Sequence, residues 1–179
     1  MAAPPIYVDG SAPPIFADPP FALNASDVPN LPGLRLIEDF ITPEEEIGLL
    51  AHIDAQPWNR ELSRQTQHYG YRYVYATRQL EPAAALPPWL VELGQRIATH
   101  LGLKDAWTQV IVNEYQPGQG IASHTDHTGL FGPVVGRDAL GAATVMEFSR
   151  GSSPKRELWL QRPMVRRASP SARVVGLIG

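Results

Sequence analysis

Apolar positions along this chain recur with two periods, one near 3.6 and one of 2, and Pro/Gly-rich stretches separate them. Residues 1–32 show neither period: Pro4-Pro5, Pro13-Pro14 and Pro19-Pro20 alternate with Ala, Asp and single apolar residues. Proline removes a backbone donor and fixes φ, so this stretch predicts an extended or disordered arm with no catalytic role. The folded domain is expected to fill 33–179 and to open with a short strand over 34–40. Thr42 and Glu45 then stand three apart with Pro43 between them, the pattern of a capping box with proline at the first helical position. The helix predicted there has Ile47, Leu50 and Ala51 as its apolar face and stops at Gln56-Pro57. A second helix opens at Pro87-Pro88-Trp89, with Leu90, Leu93, Ile97 and Leu101 spaced for one buried face and Gly102 as its stop.

From Gln109 onward the period is two. Strands are predicted at 109–115, 121–126, 143–148 and 156–161, with Gly/Pro turns between them. A further strand is predicted where Tyr71, Tyr73 and Tyr75 alternate with Arg72 and Val74. Two helices leading into a run of short strands predict an α+β fold, with helices packed on a small β-sandwich or jelly roll.

Length and composition narrow the function classes. A chain of 179 residues suits one core, and 44% apolar residues can supply it. The net charge of −3 excludes a uniformly basic nucleic-acid binder but leaves room for a local basic patch. The absence of cysteine removes disulfides, thiolate metal sites, iron–sulfur clusters and cysteine nucleophiles together, so a metal would have to use His and carboxylate. With neither a basic-then-apolar leader nor a run of about 18 apolar residues, the expectation is a cytoplasmic monomer without membrane contact.

Candidate chemistry concentrates in residues 113–126. Strand period puts Asn113 and Tyr115 on one face, Pro117-Gly118-Gln119-Gly120 turns the chain, and the next strand would bring His124 and Asp126 onto a common face. An imidazole and a carboxylate two apart are two of the three ligands of a facial triad, which suits non-heme Fe(II). Five His among 179 residues make a His-x-Asp pair a weak signal by itself. Around the tyrosines lie Arg60, Arg64, Arg72 and Arg78. Interleaved Arg and aromatics can pair phosphates and stack bases, and a half-buried strand with Tyr inward and Arg outward has the same pattern.

The string 112–121 (Val-Asn-Glu-Tyr-Gln-Pro-Gly-Gln-Gly-Ile), followed by His124 and Asp126, resembles the core motif of the AlkB-like 2-oxoglutarate- and Fe(II)-dependent dioxygenases. So do Phe131-Gly132-Pro133, Leu140-Gly141 and 145–148, while 67–73 is similar to that family's nucleotide-recognition lid and 32–40 to its N-terminal start. The resemblance implies a double-stranded β-helix core with flanking N-terminal helices. It implies Fe(II) on His124 and Asp126, 2-oxoglutarate on Asn113 and Tyr115, and an alkylated DNA or RNA base held by Arg64, Tyr71, Arg72 and Tyr73. The implied reaction couples decarboxylation of 2-oxoglutarate to succinate with hydroxylation of a C–H bond; an N-methyl so hydroxylated leaves as formaldehyde.

The family also uses a second His and, beyond it, an Arg for the distal carboxylate of 2-oxoglutarate. Counted from 158–161, Ser169, Ala172 and Arg173 fall in step with the family and the His position falls near Ile178. No His follows His127, whose side chain strand period turns away from that of Asp126, and residues 162–179 hold four Arg with no acid and no aromatic. The domain is therefore expected to be incomplete at its C-terminus, with 162–179 atypical as a frameshifted or truncated reading frame, or a degenerate or fragmentary protein, would leave it, and to turn over slowly or not at all. The competing functions are a related oxygenase acting on protein or a small molecule, and a non-catalytic nucleic-acid binding remnant.

Overall fold

The computed structural model describes residues 6–9, 31, 33–74, 77, 79–104, 107–126, 132, 134–160 and 171–178. The expectations for most of the arm and for Tyr75, Arg78, His127, Phe131 and Pro133 lie outside these residues. Two compact units emerge: Met1–Ala51, Tyr115–Asp126 and Ala139–Arg173 form one, and His52–Glu114, His127–Asp138 and Val174–Gly179 the other.

In the first unit, β1 (Ile6–Asp9), β7 (Thr144–Phe148) and β8 (Arg156–Leu160) form a sheet in the order β1-β7-β8. Both pairings are antiparallel, with Met146 opposite Val8 on one side and Leu158 on the other. Met146, Phe148 and Leu158 are the buried cluster, and Leu31, Leu34, Leu36 and Leu160 pack on it. The apolar residues of 34–40 thus reach the core without the predicted strand; the segment is irregular and turns at Asp39, whose φ is +52°.

Helix α1 (Pro43–Asp54) starts as its sequence dictates. The Thr42 N–H donates to Glu45 Oε2 (2.7 Å) and the Glu45 N–H to Thr42 Oγ1 (3.2 Å), a reciprocal capping box. Its inward face differs from the prediction: Ile47 is 55% exposed and Ala51 is exposed, whereas Glu46 and Ile53 are buried. Glu46 turns inward because its Oε1 accepts the Gly141 N–H at 2.8 Å.

In the second unit, α2 (Pro88–Leu101) buries Leu90, Leu93, Gly94 and Ile97 and ends at Gly102 in the left-handed region, φ +68°. Leu101, expected on the same face, is only half-buried. Gly94 is required by a close approach: a Cβ there would lie 2.8 Å from the Trp107 ring, whose Nε1–H donates to the Gly94 carbonyl. Strands β2 (Gln65–Tyr69), β5 (Gln109–Tyr115), β9 (Ala172–Ile178) and β6 (Val135–Leu140) form a sheet in the order β2-β5-β9-β6. Val110, Val112, Val174, Val175 and Leu177 are essentially inaccessible, so β5 and β9 are its buried centre. The hairpin of β3 (Tyr71–Val74) and β4 (Gln79–Pro82) is antiparallel, with Arg72 opposite Glu81.

Strands β1, β2, β4, β6 and β9 have no counterpart among the predicted strands, and residues 172–178 of the atypical segment are interior strand. The pairs β1–β7, β2–β5, β3–β4 and β7–β8 are all antiparallel and the described residues hold two helices, the antiparallel-sheet character expected of a jelly-roll class. No helix among the described residues is long and apolar enough to cross a membrane.

Candidate metal and cosubstrate site

After β5 the chain turns through Pro117 and Gly118, with φ +81° at Gly118 and the Gln119 N–H donating to the Gln116 carbonyl at 2.9 Å. Glycine tolerates that φ without a Cβ clash. The Gln119 side chain closes the turn by accepting the Gln116 N–H at 2.8 Å. Residues 122–126 then run without regular structure, so the predicted strand over 121–126 is absent.

His124 and Asp126 nevertheless converge. His124 Nδ1 lies 2.9 Å from the Ala122 carbonyl, and only a ring nitrogen carrying hydrogen can satisfy that oxygen. In the neutral imidazole the Nε2 lone pair then faces Asp126 Oδ1 at 3.5 Å. A backbone carbonyl on the distal imidazole nitrogen is the usual support of a metal-ligating His. The side chains are about one third and one fifth exposed, at 35% and 22%. The loop conformation thus does what strand period was expected to do.

Asn113 and Tyr115 sit in β5, both buried. Thr66 of β2 stands opposite Asn113, and Arg64 Nε donates to Asn113 Oδ1 at 2.8 Å. On the next residue pair the Gln65 amide donates to Glu114 Oε2 while its oxygen accepts from Arg60 Nε at 2.9 Å. Arg64, expected beside the substrate, is thus tied to the predicted cosubstrate residue. Sequence reading missed that tie because it joins residues 49 apart.

The hairpin keeps its tyrosines partly in solvent. Tyr71 is 43% exposed, Tyr73 is intermediate and Arg72 is exposed, so the pattern of Tyr inward and Arg outward does not hold at Tyr71. Arg72 Nη2 pairs with Glu81 Oε2 at 3.1 Å. His68, half-buried on β2, has an imidazole held below its ordinary value of 6.5 by burial first and by Arg64 and Arg72 second, with Glu61 opposing.

Fe(II) fits the donor chemistry of the His124–Asp126 pair as two ligands. Among the described residues no group of three His, Asp or Glu converges on a metal position. His52 stacks on Trp89 with ring centroids 5.6 Å apart, and Ile178, where the resemblance places the second His, is a buried aliphatic residue whose carbonyl accepts the Thr108 N–H at 3.1 Å. Arg173 is buried and donates through Nη1 to the Ser171 carbonyl at 3.2 Å and to Ser171 Oγ.

The pattern of the 2OG-Fe(II) oxygenase superfamily matches residues 33–165, and the chain belongs to that superfamily, in its AlkB-like branch. It is 34% identical over 131 residues to the "Alkylated DNA repair protein ALKBH8 homolog" of Arabidopsis thaliana, covering 69% of this chain and 38% of that protein. The mouse "Alpha-ketoglutarate-dependent dioxygenase alkB homolog 4" is 33% identical over 75% of this chain and 47% of its own length. The zebrafish "Probable RNA/DNA demethylase ALKBH6" is 34% identical over 66% of this chain and 51% of its own. The chain spans about half of these relatives or less.

Proposed function

We propose that this chain is a double-stranded β-helix domain for oxidative dealkylation of alkylated nucleic acid, with turnover well below that of a family member holding a complete facial triad. The observation that carries the reading is the His124–Asp126 pair, an imidazole fixed by a backbone carbonyl with its remaining nitrogen aimed at a carboxylate. In this reading the pair holds Fe(II), and Asn113 and Tyr115 hold 2-oxoglutarate. When bound, iron and cosubstrate supply the oxidising power for C–H hydroxylation. The protein's own share is to place the target carbon and exclude water. Arg64, Tyr71, Arg72 and Tyr73 are assigned to the substrate side in this reading, where the exposed Tyr71 ring and the exposed Arg72 guanidinium suit an unstacked base and its phosphate. The names of the Arabidopsis and zebrafish relatives, which speak of DNA repair and RNA/DNA demethylation, favour a nucleic-acid substrate.

The test is incubation with Fe(II), 2-oxoglutarate and methylated DNA, RNA or peptide, reading succinate and formaldehyde. Formaldehyde from nucleic acid, at a yield far below that of a relative with three ligands, is expected. Release from peptide alone would remove the nucleic-acid reading, and a yield equal to such a relative's would remove the low-turnover reading.

A second reading, a nucleic-acid binding remnant without catalysis, is favoured by the exposure of Tyr71 and Arg72 on the β3–β4 hairpin. It predicts oligonucleotide binding that is salt-dependent and indifferent to Fe(II) or EDTA.

A further inference from the structure

We infer that Arg64 is a positioning residue for the cosubstrate: its Nε–H selects which end of the Asn113 amide is offered to 2-oxoglutarate. The inference rests on the reading of Asn113 as a 2-oxoglutarate ligand. An Asn side chain has an acceptor end and a donor end of nearly equal size, and only the hydrogen-bond partners decide which way it points. The Arg guanidinium is donor-only, so the 2.8 Å contact from Arg64 Nε can be made to Oδ1 but not to Nδ2. With Oδ1 held on the Arg64 side, the amide presents Nδ2–H, a donor, to whatever else it meets. An anionic keto acid needs a donor there; the flipped amide would offer it an oxygen.

Three further features make the contact a fixed one. Asn113 is only 8% exposed, so water cannot readily replace Arg64. Thr66, two residues after Arg64, is the cross-strand partner of Asn113, so the lead-in to β2 that carries Arg64 is held at that position. Arg60, near in sequence, is engaged elsewhere, donating to Gln65 Oε1. The arrangement assigns the two arginines different tasks although composition makes them look alike.

The experiment measures 2-oxoglutarate binding to the full chain in the presence of Mn(II) by ligand-observed NMR, which reaches millimolar affinities. Arg64→Ala is expected to weaken binding by about tenfold, the scale of one hydrogen bond to a charged ligand. Asn113→Ala should weaken it by a similar factor, and the double variant should lose little more than either single one, because the two residues act as one unit. Arg64→Lys should restore part of the loss by supplying a donor from a flexible stem. Arg60→Ala, which removes the same charge from the same segment, should leave the affinity unchanged, and matching melting temperatures would separate positioning from unfolding.

Affinity unaltered in Arg64→Ala, full additivity with Asn113→Ala, or an equal loss in Arg60→Ala would overturn the inference. If the unsubstituted chain binds 2-oxoglutarate and only the Arg64 effect is missing, the inference alone fails. If the unsubstituted chain gives no binding signal at all, the cosubstrate reading of Asn113 fails and the inference falls with it.

Discussion

A ring nitrogen and a carboxylate oxygen 3.5 Å apart define the smallest scale at which function can be read in this protein. The pairing of His124 with Asp126 was legible because the two residues lie within three positions of one another. The means was not, since the sequence suggested strand period and the structure uses a loop in which Ala122 orients the ring. At the same scale, His68 makes a prediction about stability and pH. Its folded pKa is lowered, so as pH falls the unfolded chain takes up the proton first. Stability is fully present above the ordinary value of 6.5 and is lost progressively as pH drops below it toward the folded value. The urea midpoint of His68→Gln should therefore fall less between about pH 6.5 and pH 5 than that of the unsubstituted chain. Equal slopes would remove the role given to His68. A wider lesson comes from Glu46: no local signal marks a buried carboxylate on α1, because its partner, the Gly141 N–H, is 95 residues away.

At the scale of the element, what the sequence revealed follows how local each cause is. The capping box of α1 and the Gly102 stop of α2 are both made within a few residues, and both were legible. Thr42→Ala should lower stability by about 1 kcal/mol, the usual cost of an N-cap, measured by chemical denaturation. No change would mean that the box forms without stabilising. Strand β9 was less legible because its neighbours β5 and β6 lie far away in sequence, and its Arg-rich lead-in drew attention to composition instead. Yet Val174, Val175, Leu177 and Ile178 read as apolar strand once the sheet order is known. Leu177 is fully buried, so Leu177→Ala should cost about 2–5 kcal/mol. A cost under about 0.5 kcal/mol, the size of a surface substitution, would contradict an interior β9. Strand β6 was hidden for a different reason: Gly136, Arg137 and Asp138 interrupt its pattern, and these residues are half-buried.

At the scale of the whole molecule, a net charge of −3 coexists with an Arg–Tyr hairpin, so the proposed nucleic-acid contact is a local one. The Arg72–Glu81 pair is exposed on both sides and adds little stability. Arg72→Ala should therefore leave the fold intact while weakening oligonucleotide binding and lowering the slope of log K against log salt by about 0.7–0.9. The family was legible because several short motifs occur in one order within the matched residues 33–165, and the antiparallel-sheet character of the fold came with it. The substrate was not, since similar proteins carry names as different as DNA repair protein and alpha-ketoglutarate-dependent dioxygenase. In the proposed function this superfamily member holds its metal on a His124–Asp126 half-site, and Mn(II) titration followed by electron paramagnetic resonance is the decisive measurement. One weak site per chain that disappears in both His124→Ala and Asp126→Ala is expected; Mn(II) binding that is unchanged in these variants, or that is absent from the unsubstituted chain, would overturn the half-site.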